Sequence, residues 1–125
     1  YLVLNSFFRM QGGEIFVPKI PSVRIIDIAK AIGGNKEIKI IGIRPGEKLS
    51  EILCSKDEYF NTIEFKDYYV LKPVITFIEK EVDYTKSKEN EKGKFVDKDF
   101  EFSSANNKTF LSMDNLKKFI QNQFH

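Results

Sequence analysis

The sequence predicts an α/β fold, in the form of a small lobe that packs against a partner domain. Helical and strand patterns alternate through the first half of the 125 residues, and an irregular, highly charged stretch occupies residues 79–99. This alternation is too short to build a complete doubly wound domain, which needs several parallel strands covered by helices on both faces. We therefore expect a single lobe over residues 1–125, with residues 79–99 as a charged surface loop.

Three elements are predicted in the first third of the chain. Apolar residues recur at helical spacing in YLVLNSFFRM, and Gly12 and Gly13 end this helix. Because the sequence offers no cap before it, we expect the helix to begin outside the chain, which would make the chain a fragment of a longer protein. EIFV, residues 14–17, is typical of a short buried strand, and Ser22 is a suitable N-cap for a helix over residues 23–33.

A strand, a tight loop and a helix are predicted next. EIKIIGI, residues 37–43, is an apolar run with isoleucines on both sides, which is typical of a strand. RPGEK follows as the loop. Leu49, Ile52 and Leu53 are then spaced as on one face of a short helix. Cys54 would lie on the apolar side of that helix and serve in packing.

The second half of the chain contains shorter predicted elements. Residues 63–65 and 68–73 have the composition of extended segments, and ITFIEK, residues 75–80, is a further candidate. Residues 100–102 form another short extended stretch. These segments predict strands that are brief and irregularly spaced.

A final helix is predicted over residues 113–123. Ser112 is placed as its N-cap, with Leu111 and Leu116 as a hydrophobic staple around the cap. The apolar face of this helix comprises Leu116, Phe119 and Ile120.

Composition and charge exclude several classes of function. The chain is 42% hydrophobic and 30% charged, which is typical of a globular protein, and it shows neither a bilayer-spanning apolar run nor the features of a signal peptide. Cys54 is the only cysteine and His125 the only histidine, which excludes an internal disulfide, most catalytic pairs of a serine or cysteine with a histidine, and a histidine-cluster metal site. A net charge of +2 with mixed signs argues against a dedicated nucleic-acid binder. We expect a cytoplasmic protein with neither nucleic acid nor membrane as a partner.

The segment GIRPGEK, residues 42–48, is the strongest candidate for a binding site. At a junction between a strand and a helix, backbone N–H groups and the positive end of the helix dipole favour a phosphate. Arg44 can add a bidentate grip on phosphate oxygens, and Glu47 can accept hydrogen bonds from a ribose diol. Pro45 fixes the bend, and Gly46 allows a ligand to approach the backbone. The same residues also fit a plain surface ion pair between Arg44 and Glu47, so this segment alone leaves both interpretations open.

The wider sequence resembles a known enzyme family. GGEIFVPK, IIGIRPGEKL and the SSANN segment near the C-terminus, at this separation, are similar to the C-terminal part of the inverting UDP-N-acetylglucosamine 4,6-dehydratases. These enzymes belong to the extended short-chain dehydrogenase/reductase superfamily. The resemblance covers the chain apart from a divergent middle at about residues 55–80. It is greatest to the branch that opens pseudaminic acid biosynthesis for flagellin glycosylation, and related capsule enzymes share similar segments.

The resemblance implies that the chemistry is performed by another domain. In such enzymes a large N-terminal Rossmann domain would hold NADP, and a smaller lobe would complete the UDP-sugar site. C4 of the sugar is oxidised, water is lost across C5–C6, the hydride returns to C6, and C5 is inverted. The present sequence has no Gly-rich dinucleotide turn, and its one Tyr-x-x-x-Lys spacing, Tyr84 to Lys88, lies in the charged stretch.

The resemblance therefore implies that this chain is the substrate-binding lobe. We expect it to contain no catalytic residue and to bind neither a cofactor nor a metal by itself. Its partners would be the UDP-sugar substrate and its own Rossmann domain, in a parent enzyme that forms a homo-oligomer.

Four residues of this chain match positions of the family's substrate site. Arg44 matches the arginine expected at the UDP diphosphate, and Glu47 matches the acidic residue expected near the uridine ribose. Asn107 matches an asparagine that approaches the substrate, with an Asx turn or a helix cap as its alternative role. Lys19 also matches, with a solvated or salt-bridged lysine as the alternative. Aromatic residues that carry a polar group in relatives are replaced here by Phe102 and Phe110.

Other functions remain open from the sequence. The chain could be the lobe of a capsule-type UDP-sugar 4,6-dehydratase or epimerase, or a non-catalytic binding module of the same ancestry. A weak RNA-binding module using Lys117, Lys118 and the charged stretch 79–99 is a third alternative. The balanced charge and the lack of interleaved aromatic and basic residues argue against it.

Overall fold

The computed structural model describes residues 2–75 and 82–123, which divide into two compact units. The sheet unit comprises Tyr1–Lys19 and Ile52–Ser103, and the helical unit comprises Ile20–Glu51 and Ser104–His125. Each unit is therefore assembled from two stretches of chain that are distant in sequence.

The described residues contain both helices and strands. The helices are α1 (Leu2–Arg9), α2 (Ile25–Gly33) and α3 (Met113–Gln123), with a 3-10 helix at Lys56–Asn61. The strands are β1 (Ile15–Pro18), β2 (Ile52–Cys54), β3 (Thr62–Glu64), β4 (Tyr68–Leu71), β5 (Lys94–Phe95) and β6 (Phe102–Ser103).

The sheet unit is built on antiparallel strands. Its larger sheet has the order β1-β4-β3-β5, and Val70 of β4 lies opposite Phe16 on one side and Ile63 on the other. Strands β2 and β6 form a second antiparallel sheet with an irregular register between Ile52 and Cys54. The described residues thus form a mixed α/β structure with antiparallel sheets, which agrees with the predicted α/β class at this level.

The core of the sheet unit lies on both faces of β4. All four residues of this strand are buried. Because successive side chains of a strand point to opposite faces, the four side chains belong to two separate clusters. One cluster comprises Val17, Cys54, Tyr69, Leu71 and Phe102. The other comprises Ile63, Phe65, Tyr68, Val70 and Tyr84. Burial on both faces makes β4 the central strand of the molecule's main core.

Several predicted elements are confirmed. Helix α1 follows the apolar spacing of the first residues, and β1, β3, β4 and β6 occur at or next to the predicted extended segments. Helix α3 has the predicted bounds, and Ser112 accepts a hydrogen bond from the backbone N–H of Asn115 at 3.3 Å, as an N-cap does. Strand β1 is less buried than predicted, since Ile15 is 62% exposed, Phe16 is only partly buried, and Val17 alone is fully part of the core. Apart from Ile75, the predicted segment 75–80 lies outside the described residues.

The predicted strand at residues 37–43 is wrong. This segment contains no strand, and Ile40 is 84% exposed. Gly42 has a φ of +83°, which lies outside the β region and interrupts an extended run before Ile43. A strand also needs a neighbour to satisfy its backbone groups, and none of the described strands pairs with this segment.

The predicted helix around Leu49, Ile52 and Leu53 is also wrong. Residues Ile52–Cys54 form strand β2, in which Cys54 pairs with Phe102 of β6, and Leu49 is 94% exposed. Pairing with β6 buries Cys54 completely, so its predicted packing role is confirmed although its helix is not. A pairing partner almost fifty residues away thus overrides the local helical spacing.

Ser22 does not cap helix α2, contrary to the prediction. The residue at the N-cap is Arg24, which makes no capping hydrogen bond with its side chain. Ser22 instead joins the segment around Phe110, because its N–H donates to the carbonyl of Thr109 at 2.8 Å and its carbonyl accepts from Leu111 at 2.9 Å. This pairing brings residues 109–111 against the start of the helical unit.

The described part of the charged stretch, residues 82–99, is more structured than a solvated loop. Tyr84 is buried, and its hydroxyl donates a hydrogen bond to the carbonyl of Gly12 at 2.7 Å. Lys94–Phe95 forms β5 at the edge of the larger sheet. A few aromatic residues therefore fix a segment whose composition is dominated by charge.

Candidate functional site

The turn at residues 44–47 is closed by its own backbone. The N–H of Glu47 donates to the carbonyl of Arg44 at 3.1 Å. Pro45 occupies the second position and Gly46, with a φ of +85°, the third, which is the arrangement of a type II turn. A Cβ on Gly46 would meet nothing within 4 Å, so the positive φ rather than crowding requires glycine here.

The Glu47 carboxylate closes the same turn a second time. Its Oε2 accepts a hydrogen bond from the backbone N–H of Arg44 at 2.8 Å, and its Oε1 lies 3.9 Å from the Nε of Arg44. The two side chains are 72% and 50% exposed, for Arg44 and Glu47 respectively. Such an exposed pair contributes less than about 1 kcal/mol to stability. Most of the guanidinium therefore remains open to an anionic ligand.

The predicted helix dipole is missing from this site. In the described residues the turn is followed by bends at residues 49–50 and then by β2, so no helix N-terminus faces the loop. The end of the loop is instead held by Ser104, which exchanges hydrogen bonds with Glu51. The Glu51 N–H donates to the Ser104 hydroxyl at 2.9 Å, and the Ser104 N–H donates to the Glu51 carbonyl at 2.8 Å. Any anion bound here would rely mainly on the Arg44 side chain, because the backbone N–H groups of Arg44 and Glu47 are bonded within the turn.

Asn107 uses most of its hydrogen-bonding capacity within the helical unit. Its Nδ2 donates to the carbonyl of Ile20 at 2.8 Å and to the Ser22 hydroxyl at 3.0 Å. Its Oδ1 accepts from the N–H of Thr109 at 3.0 Å, which is an Asx turn. One acceptor position on Oδ1 is left. The side chain thus ties residues 107–109 to residues 20–22.

Lys19 belongs to the sheet unit and is paired there. Its Nζ donates to Glu64 at 2.8 Å and lies 4.8 Å from the centre of the Tyr69 ring. Of the four candidate residues, the structure brings Arg44 and Glu47 into direct contact. Asn107 lies in the same unit as that pair and bonds to other residues.

One polar cluster was not foreseen from the sequence. Arg9 forms an ion pair with Glu89 at 2.7 Å and lies 5.0 Å from the centre of the Tyr68 ring. The Tyr68 hydroxyl donates to Glu91 at 3.1 Å, and burial, reinforced by the charge of Glu91, raises the pKa of Tyr68 to about 12. Eighty residues separate Arg9 from Glu89, so no local spacing could have revealed the cluster. It fixes residues 87–91 to the sheet.

The remaining titratable groups suggest no further site. Within residues 2–75 and 82–123, no three histidine, cysteine, aspartate or glutamate side chains are arranged to hold a metal ion. Burial raises the pKa of the Cys54 thiol to about 11, which suppresses the reactive thiolate. None of the described helices is long and apolar enough to cross a membrane.

Comparison with known families settles the ancestry of the chain. The sequence profile of a family described as "Polysaccharide biosynthesis protein" matches residues 1–73. The chain belongs to the polysaccharide biosynthesis protein family. The match includes the whole of GIRPGEK and both strands β3 and β4.

Two relatives show which proteins the chain resembles. It is 48% identical over 118 residues to the UDP-N-acetylglucosamine 4,6-dehydratase (inverting) of Campylobacter jejuni, which covers 94% of the chain and 35% of the relative. It is 41% identical over 90 residues to the capsular polysaccharide biosynthesis protein CapD of Staphylococcus aureus, which covers 66% of the chain and 15% of the relative. The chain therefore spans 35% or less of the length of these two relatives.

A solved structure resembles the chain over nearly its whole length. The X-ray structure of Pen from Bacillus thuringiensis matches with a TM-score of 0.68 and 26% sequence identity. The match covers 98% of the chain and 35% of Pen. The chain thus shares its fold with about one third of a longer chain.

Proposed function

We propose that this chain is the UDP-sugar-binding C-terminal portion of a UDP-N-acetylglucosamine 4,6-dehydratase that inverts C5. The observation that carries the proposal is the 48% identity to the Campylobacter enzyme of that name over 94% of the chain. The reaction would be the first step towards pseudaminic acid. The chain alone would be catalytically inactive.

Arg44 is the residue that we assign to the diphosphate of the substrate. Its guanidinium is 72% exposed and contacts one carboxylate oxygen at 3.9 Å, which is too long for a strong hydrogen bond. A diphosphate can therefore take over this side chain at little cost and form shorter, charge-assisted hydrogen bonds. Glycine is required at position 46 by its positive φ, so no side chain lies over the turn there.

Glu47 is assigned to the ribose of the uridine moiety. Oε2 is engaged with the Arg44 backbone, so Oε1 is the oxygen available to accept a hydrogen bond from a ribose hydroxyl. A carboxylate beside the phosphate-binding arginine would repel a phosphate but suits a neutral diol.

Asn107 and Lys19 complete the proposed substrate-contacting set with weaker support. Asn107 has one free acceptor position on Oδ1. Lys19 would have to release Glu64 to reach a ligand. The protein partners of both residues make a supporting role for the fold at least as important as a substrate contact.

The dinucleotide would be held outside this chain. The described sheets are antiparallel, and the sequence has no Gly-rich turn, so these residues do not fit NADP. In the parent enzyme NADP would supply the hydride transfer from a Rossmann domain, and the present residues would only bind and orient the UDP-sugar. The parent enzyme would be a homo-oligomer and would lie in the cytoplasm.

The experiment is a substitution of Arg44 in the longest form of the protein that its coding region encodes. Arg44→Ala should weaken UDP-N-acetylglucosamine binding by about ten- to a hundredfold, because a charge-assisted interaction worth about 1.5–3 kcal/mol is lost. Arg24→Ala is the matched control, since Arg24 is an exposed arginine of the same unit without an ion pair in the described structure. Titration calorimetry measures both. Equal affinities of the two variants would refute the assignment.

A capsule-type enzyme is the second candidate function, favoured by the 41% identity to the Staphylococcus protein. The two candidates differ in the product, which NMR spectroscopy of the reaction with UDP-N-acetylglucosamine identifies. A 4-keto-6-deoxy product with inverted C5 supports the inverting dehydratase. Complete absence of turnover by the longest form would leave the non-catalytic module as the surviving interpretation.

A further inference from the structure

We propose that Glu47 is a positioning residue, which holds the turn in the shape that presents Arg44 to an anion. This role is additional to the ribose contact and rests on the proposed binding of a diphosphate by Arg44. It follows from the hydrogen bond between the Glu47 carboxylate and the Arg44 backbone N–H.

The two residues are joined at both backbone groups of Arg44. The Arg44 carbonyl accepts from the Glu47 N–H at 3.1 Å, and the Arg44 N–H donates to the Glu47 Oε2 at 2.8 Å. Glu47 thus satisfies both the backbone donor and the backbone acceptor of Arg44. A hydrogen bond to a carboxylate is shorter and about twice as strong as one between neutral groups, so the second closure is the stronger one.

The hydrogen bonds that close the turn matter because the segment around it has little other structure. Residues 37–50 contain neither a helix nor a strand in the described structure, and Ile40, Ile43 and Leu49 are all more than half exposed. Apolar packing therefore contributes little to the conformation of this segment. Within it, both hydrogen bonds that close the turn involve Glu47. Loss of the carboxylate would release the Arg44 N–H and leave a single backbone bond.

Simple electrostatics predicts the opposite effect on an anion. A carboxylate whose Oε1 lies 3.9 Å from the Arg44 Nε reduces the positive potential at the guanidinium. Removing it should therefore tighten the binding of an anion, unless the carboxylate is needed to hold the turn. The sign of the change distinguishes positioning from a purely local charge effect.

The experiment measures inorganic pyrophosphate and UDP as ligands of the longest form that the coding region encodes. Pyrophosphate has no ribose and reports on the Arg44 site alone, whereas UDP reports on both contacts. The variants are Glu47→Ala, which removes the acceptor, and Glu47→Gln, whose amide oxygen can still accept from the Arg44 N–H. Glu37→Ala is the matched control, because it removes one exposed carboxylate from the same segment outside the turn. Circular dichroism checks that each variant is folded.

The expected result is a loss of pyrophosphate affinity on the order of tenfold in Glu47→Ala and its recovery in Glu47→Gln. Glu37→Ala should bind pyrophosphate as the wild type does. If Glu47→Ala binds pyrophosphate equally or more tightly and loses only UDP affinity, Glu47 contacts the ribose alone and the positioning role is refuted. If the wild type binds neither ligand, the proposed function fails and the positioning role fails with it.

Discussion

The two compact units differ sharply in how much apolar side chain they bury. In the sheet unit, β4 feeds clusters on both of its faces, and Ile63 and Cys54 are completely buried. In the helical unit, Leu116 is the buried hydrophobic residue among those described, while Ile25, Ile40 and Leu49 are 80% or more exposed. The fold is therefore anchored in the sheet unit, whereas the candidate binding turn lies on the weakly packed one.

Two apolar segments illustrate why the units differ. YYVL, residues 68–71, and EIKIIGI, residues 37–43, both have the composition of a strand. The first pairs with β1 on one side and β3 on the other, and the second pairs with no described strand. Composition predicts that a segment can be a strand, but a neighbour with matching register makes it one.

The largest expected effect on stability comes from replacing a buried isoleucine of the sheet unit, compared with an exposed one of the helical unit. Ile63→Ala should lower the free energy of unfolding by about 2–5 kcal/mol, because Ile63 is fully buried and leaves a cavity. Ile41→Ala, at a side chain that is 68% exposed, should change it by less than about 0.5 kcal/mol. Urea unfolding followed by circular dichroism measures both.

The Ile41→Ala result can contradict the conclusion that the helical unit is weakly packed. A large loss of stability in Ile41→Ala would mean that residues 37–43 are packed, as the sequence pattern suggests. It would also imply that a partner covers this segment in solution.

The sequence predicts most helices and strands of the sheet unit because their side-chain pattern and their partners agree. Helix α3 is likewise predictable, since Ser112 and Leu116 mark its start and its buried face. The errors concentrate in residues 22–54. There Gly42, with its positive φ, and the pairing of Cys54 with Phe102 decide the conformation, and neither is visible in local spacing.

A second pair of substitutions tests the tightness of the sheet unit. A Cβ on Gly93 would lie 2.6 Å from Ile63 and 2.7 Å from Phe65, so Gly93→Ala should cost about 1–3 kcal/mol through overpacking. Gly33→Ala, in α2, has its nearest neighbour at 3.9 Å and should be neutral or stabilising by up to about 1 kcal/mol. Thermal unfolding of the two variants gives the comparison. Equal melting temperatures would show that the contact at Gly93 relaxes freely.

The contact between Arg44 and Glu47 was predictable from the sequence, but the geometry of the turn was not. The Arg44–Glu47 pair follows from the spacing in RPGE, and the ion pair at 3.9 Å is there. The hydrogen bond of the Glu47 carboxylate to the Arg44 backbone was not foreseen, because the sequence alone suggested that a helix dipole would shape the loop. The partners of Asn107 were also hidden, since Ile20 and Ser22 lie more than eighty residues away.

Asn107 offers a smaller test within the helical unit. Asn107→Ala should lower the free energy of unfolding by about 1–2 kcal/mol, because its amide group no longer bonds to Ile20 and Ser22. Asn122→Ala, at an exposed position of α3, is the control. Urea unfolding measures the loss, and titration with UDP at a temperature where both variants are folded measures binding. Stability and UDP affinity that both match those of the control would refute the structural role and the substrate contact together.

The smallest expected effect, less than about 1 kcal/mol at pH 9, is a pH dependence that belongs to the sheet unit. Burial raises the pKa of the Cys54 thiol to about 11, above its value of about 8.5 in an unfolded chain. The unfolded state therefore loses this proton first as the pH rises. The stability that Cys54 contributes is complete below about pH 8.5 and falls between that pH and about pH 11. The measurement is the difference between wild type and Cys54→Ala in urea unfolding at each pH, which isolates the contribution of this thiol. That difference should shrink as the pH rises above 8.5.

A constant difference would show that the thiolate forms as easily in the folded protein as in the unfolded chain, and that the core around β2 and β6 admits water.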